Sequence, residues 1–142
     1  MKRIMAASVL AVAIITSCTM KNPLLVASDA PYGAPAFDKI KTEHYKPAFE
    51  AAVAEGKEEI KAIVENPEAP TFANTIEALE RAGGKLESIG NIFFNLNECC
   101  TNPEMQQIAE DVSPMLTEYE VSILLNPELF NRVKTVYQQR EG

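Results

Sequence analysis

Residues 74–96, NTIEALERAGGKLESIGNIFFNL, decide the fold class of this chain. Ile76, Leu79, Gly83, Leu86, Gly90, Phe93 and Leu96 recur at spacings of three and four, which puts them on one face of a continuous helix of about five turns. Leu79, Leu86 and Phe93 are therefore expected in the core. Asn74 with Glu77 three residues later resembles a capping box, although the usual opener is Ser or Thr, and Thr71 is a rival cap. Gly83-Gly84 interrupts the stripe at a cost of about 2 kcal/mol of helix propensity relative to alanine. Either a close helix–helix contact or a bend is expected there.

The same period continues on both sides. From Thr42 onward, Tyr45, Phe49, Val53, Ile60, Ile63 and Val64 fall at spacings of three, four and seven, with Ala52 and Gly56 filling the same face. Pro47 belongs in the first turn, where a missing N–H costs little, and Asn66-Pro67 stops the helix because a residue before proline is pushed out of the α region. Downstream, Asn102-Pro103-Glu104 is a helix start, with Met105, Ile108, Val112, Met115, Tyr119 and Ile123 as its stripe and Pro114 as a kink risk. Asn126-Pro127-Glu128 repeats the signal for a helix bearing Leu129, Phe130, Val133, Val136 and Tyr137. No segment alternates apolar and polar residues over a useful length. The expected fold is all-α, antiparallel helices joined by short turns.

A different organisation governs the N-terminus. Lys2 and Arg3 precede the apolar run Ile4 to Ile15, the layout of a secretory signal and too short a run to span a bilayer as a mature helix. Ile15-Thr16-Ser17-Cys18 resembles the lipobox of bacterial lipoproteins, in which the cysteine becomes the acylated first residue. Residues 1–17 are thus expected to be a lipoprotein-type signal peptide, with Cys18 the lipid attachment point and the product an exported, membrane-anchored protein of the periplasm or cell surface. Residues 18–41, with Pro23, Pro31, Gly33 and Pro35 and no sustained period, read as an extended tether, and residues 42–142 as the helical region. The 142 residues are 46% apolar, enough for a core, and a net charge of −7 argues against nucleic acid as a partner.

Few residues carry chemistry. Cys99 and Cys100 are adjacent, and neighbouring side chains on a helix diverge, so they read as small residues near a helix end. No second cysteine pair or histidine cluster accompanies them to complete a tetrahedral metal site. His44, the single histidine, reads as a helix-start residue satisfied by Thr42 or a backbone group. Glu58-Glu59 and Glu110-Asp111 read as charged, solvated faces rather than a general acid and base pair. Asp38 has no glycine-rich loop beside it, and Met105 and Met115 lie in an apolar stripe, where packing is the ordinary role.

Tyr32 to Glu50, YGAPAFDKIKTEHYKPAFE, read with Phe72 to Glu80, FANTIEALE, resembles the N-terminal region of M3-family zinc oligopeptidases. Asn22-Pro23-Leu24-Leu25, the run Glu43 to Phe49 and Phe93-Phe94 are most similar to its bacterial peptidyl-dipeptidase branch, also called dipeptidyl carboxypeptidase. The resemblance covers about residues 22–140. It implies a parent enzyme that cuts short peptides and releases C-terminal dipeptides, through a zinc-activated water whose proton the motif glutamate takes. It also implies that the N-terminal helices form part of one wall of a cleft. The family's H-E-x-x-H signature needs two histidines one turn apart, and one histidine cannot supply them.

Catalytic and metal-binding residues are accordingly expected outside this chain, none within it, with zinc bound by a C-terminal catalytic portion of the same polypeptide. The sequence ends within a helical pattern, which reads as a truncation. Expected partners are that missing portion, short peptide substrates and, through the lipid, a membrane. A self-contained helical lipoprotein acting as a binding module is the alternative reading.

Overall fold

The computed structural model describes residues 21–141, so the signal segment and Cys18 lie outside the described residues. The fold is all-α, and among the described residues there is no strand. A 3-10 turn over Thr42–His44 leads into α1, Tyr45–Val64; a six-residue π-type turn, Phe72–Glu77, runs into the short α2, Ala78–Arg81. Helices α3, Gly84–Cys100, α4, Pro103–Leu124, and α5, Pro127–Gln138, follow.

Helix α1 is the centre of the molecule. Its Phe49 meets Phe93 edge-on at 5.4 Å, and its Glu55 pairs with Lys85, so α1 and α3 run antiparallel. Lys46 pairs with Asp111 and Lys57 with Glu118, so α4 returns parallel to α1 after two reversals. The N-terminal half of α1 gives Tyr45, Ala48, Phe49 and Ala52 to a core completed by Ile89 and Phe93 of α3 and Met105, Ile108 and Val112 of α4. Its C-terminal half gives Ile60 and Ile63 to a second cluster with Leu129 of α5.

Caps follow the local chemistry. Asn102 Oδ1 accepts from the Met105 N–H at 2.9 Å, and Asn126 Oδ1 accepts from Glu128 and Leu129. These bonds satisfy N–H groups that a helix start leaves free. Thr71 is the cap of the next segment, displacing the Asn74–Glu77 box: its Oγ1 accepts from Asn74 N at 3.1 Å, while Asn74 Oδ1 accepts from Thr71 N at 2.8 Å. Pro47 lies in the first turn of α1, and Pro114 sits within α4, which continues past it.

The structure corrects three expectations. The stripe from Ile76 to Leu96 is not one helix: Gly83, at φ 78, breaks it between α2 and α3. Leu79 and Leu86, both half-buried, consequently join different clusters, Leu79 with Ile60 and Ile63 and Leu86 with the Phe49 core, where Phe93 is fully buried. Of the stripe read on the last helix, Phe130 and Tyr137 are exposed, because the neighbours of α5 cover only its Leu129 side. In the stretch read as a tether, Leu24 is buried against the Phe49 core, and Asn22 Nδ2 donates to the His44 carbonyl at 2.7 Å.

Candidate functional site

His44 is occupied locally. Its Nδ1 accepts from the Lys41 backbone N–H at 3.0 Å, which fixes the ring at the entrance to α1. Asp111 is part of an exposed pair: Lys46 Nζ donates to its Oδ2 at 2.6 Å and Gln107 to its Oδ1 at 3.0 Å. The Lys46 bond, then the Gln107 bond, hold the Asp111 carboxyl below its ordinary range. Glu58 faces solvent beside Lys61. Glu59 does more, because its Oε2 accepts from the Gly83 N–H at 2.7 Å and ties α1 to the break between α2 and α3. Among the described residues, no three His, Cys, Asp or Glu side chains gather where they could hold a metal ion.

Cys99 and Cys100 end α3 and are exposed free thiols. Their sulfurs do not diverge: Cys99 Sγ lies 3.3 Å from Cys100 Sγ and 3.8 Å from the Leu96 carbonyl oxygen. The Cys100 contact, then desolvation, raise the Cys99 thiol above its ordinary range. Next to the pair, Thr101 Oγ1 donates to Asn97 Oδ1 at 2.9 Å, pinning the turn into α4.

The buried polar node of the molecule is Arg132, which the sequence reading passed over. Its Nη1 donates to the Asn66 carbonyl at 2.9 Å, and its Nη2 reaches Asn74 Oδ1 at 3.3 Å. The Glu68 carbonyl accepts from the same guanidinium. Asn74 Oδ1 also accepts from buried Thr75 Oγ1, and Asn74 Nδ2 donates to Ala69. One α5 side chain therefore holds the Asn66–Asn74 connection in shape. The available signal was its position, three residues after Leu129 and four before Val136 on the same stripe.

Concave faces remain open among the described residues. A groove of about 460 Å³ between α3 and α4 is floored by Leu86, Gly90, Leu116 and Tyr119 and edged by Glu87, Glu98 and Glu120. A second, of about 540 Å³, lies among Phe72, Ile76, Val133, Val136 and Tyr137 and is mainly apolar. Phe72 and Tyr137 are each 61% exposed, and the Arg140 guanidinium stacks 3.5 Å from the Tyr137 ring centre. No described helix is long and apolar enough to cross a membrane.

The chain is 46% identical over 124 residues to dipeptidyl carboxypeptidase of Escherichia coli, a match covering 87% of this chain and 18% of that protein. It is 46% identical over 121 residues to the Salmonella typhimurium dipeptidyl carboxypeptidase, covering 85% of this chain and 18% of that one. Oligopeptidase A of Salmonella typhimurium is 29% identical over 112 residues, covering 79% of this chain and 16% of its own length. Its homologues are thus peptidases. The chain spans about 18% of the length of the dipeptidyl carboxypeptidases it matches. No protein-family model matches it.

Proposed function

We propose that this chain is the N-terminal, non-catalytic helical portion of an M3-family zinc metallopeptidase that releases dipeptides from the C-termini of short peptides. The 46% identity to dipeptidyl carboxypeptidase over 124 residues, at 18% of that protein's length, carries the reading. The open faces at Phe72, Phe130 and Tyr137 support it, since apolar surface of this kind is what a larger helical body covers. The described residues do not fit zinc: His44 is the one histidine and its Nδ1 already takes a backbone hydrogen bond. The metal and its activated water belong to a C-terminal catalytic portion, and this chain supplies a wall against which that portion packs. Lys2, Arg3, the apolar run to Ile15 and the Ile15 to Cys18 ending support export and anchoring through a lipid on Cys18 in a bacterial envelope.

The test is to purify the chain with Cys18→Ser, supply zinc and short peptides, and follow dipeptide release with and without the C-terminal portion of a homologous enzyme. Silence alone, with turnover restored by the added portion, is the expected result. Chelator-sensitive turnover that co-purifies with the chain would overturn the reading. For the anchor, Cys18→Ser should move the protein out of the detergent phase and abolish lipid labelling, and unchanged partitioning would refute it.

A further inference from the structure

Cys99 and Cys100 form a surface feature that the peptidase reading leaves unused. Both thiols are exposed at the end of α3, and their sulfurs stand 3.3 Å apart. A disulfide between them is disfavoured, because adjacent Cα atoms lie about 3.8 Å apart and disulfides want about 4.4–6.8 Å. The pair is better shaped to close on one soft atom from two sides.

The spacing as it stands suits some soft atoms better than others. With bonds of about 2.3 Å, as in metal thiolates, two sulfurs 3.3 Å apart subtend about 90° at the bound atom. A linear two-coordinate ion would need sulfurs about 4.6 Å apart and a tetrahedral one about 3.8 Å apart, by the same bond length. An angle near 90° is that of a pyramidal trivalent atom whose lone pair compresses its bonds. Such an atom needs no third protein ligand, in keeping with the absence of a three-residue metal cluster among the described residues. The flanking turn is held by the Thr101–Asn97 bond and by the Asn102 cap of α4.

We propose that Cys99 and Cys100 chelate a trivalent arsenical. With an organic arsenic oxide, R–As=O, two As–S bonds form and the As=O bond breaks. The two thiol protons leave with the oxygen as one water. Arsenic remains trivalent and neither sulfur is oxidised, so no further reactant is required.

The test titrates the full 142-residue chain with phenylarsine oxide and reads the adduct by intact mass, before and after excess reduced glutathione and then 2,3-dimercaptopropanol. One phenylarsine per chain, with loss of one water, is expected to withstand the monothiol and yield to the dithiol. The second sulfur binds intramolecularly, so Cys99→Ser and Cys100→Ser should each lower retention by about 10²–10⁴-fold, while Cys18→Ser leaves it unchanged. Both positions are exposed, so these variants keep the fold. Glutathione stripping the parent adduct, or either single variant retaining the arsenical as well as the parent, would overturn the proposal.

Discussion

Gly56→Ala is expected to destabilise this chain by about 1–2 kcal/mol, against the usual trend for a glycine inside a helix. Gly56 lies in the middle of α1, where alanine would ordinarily add about 1 kcal/mol through backbone propensity. A Cβ at Gly56 would instead fall 2.5 Å from Oη and 2.9 Å from Cζ of Tyr119, well inside contact distance. Tyr119 is 6% exposed, and its hydroxyl is also 3.1 Å from where a Cβ on Gly83 would stand. Overpacking costs about 1–3 kcal/mol, and subtracting the propensity gain leaves about 0–2, with two short contacts favouring the upper part. Gly90→Ala in α3 is the control, because its nearest outside atom is Phe94 Cδ2 at 4.0 Å, and it should stabilise by about 0.5–1 kcal/mol. Urea unfolding followed by circular dichroism measures both. Adding Tyr119→Leu to Gly56→Ala should recover at least about 0.5 kcal/mol relative to additivity. A Gly56→Ala chain as stabilised as Gly90→Ala would refute the argument.

Phe93→Ala, which removes the ring that Tyr45 and Phe49 both meet edge-on, should cost about 3–5 kcal/mol in the same assay, and a loss under about 1 would mean this core repacks freely. Arg132→Ala should cost about 1–3 kcal/mol by leaving the Asn66 and Glu68 carbonyls without their donor, and should open the Asn66–Asn74 connection to limited proteolysis; equal cleavage rates would count against the node. Because the folded Asp111 pKa is lowered from 3.8, its stabilising contribution is fully present above that value and lost as pH falls through the lower folded value. Asp111→Asn should therefore flatten the acid limb of stability against pH, an effect that added salt weakens, and an unaltered limb would contradict it.

Much of the fold was legible because helix periodicity and capping are local. Asn102-Pro103 and Asn126-Pro127 announce helix starts through chemistry contained within four residues, and both caps form as the spacing predicts. The exposure of Phe130 and Tyr137 was not legible in the same way. Period assigns residues to a face, but which part of a face is covered depends on neighbours that α5 meets only in three dimensions. Arg132 was hidden for the converse reason: its partners are backbone carbonyls and an asparagine some 58 to 66 residues earlier, and no pattern around position 132 encodes them. The Cys99–Cys100 approach depends on side-chain directions at a helix end, which spacing alone cannot give.

The break at Gly83 shows how a correct period can conceal a wrong helix. Gly83 occupies a stripe position itself, so Leu79 before it and Leu86 after it stay in phase whether the backbone runs through or turns. What decides between the two is the local energy of that residue. Glycine adopts the left-handed conformation at φ 78 without the clash that any Cβ would bring, and its N–H there finds the Glu59 carboxylate at 2.7 Å. A continuous helix would have carried both Leu79 and Leu86 along one straight line of α1. The turn instead sends α2 toward Ile60, Ile63 and Leu129 while α3 lies along Phe49, and the hydroxyl of Tyr119 fits against the two residues, Gly56 and Gly83, that lack a side chain. Glycine at position 56 and glycine at position 83 thus serve one contact, and the turn at Gly83 sends its two flanking helices to different clusters.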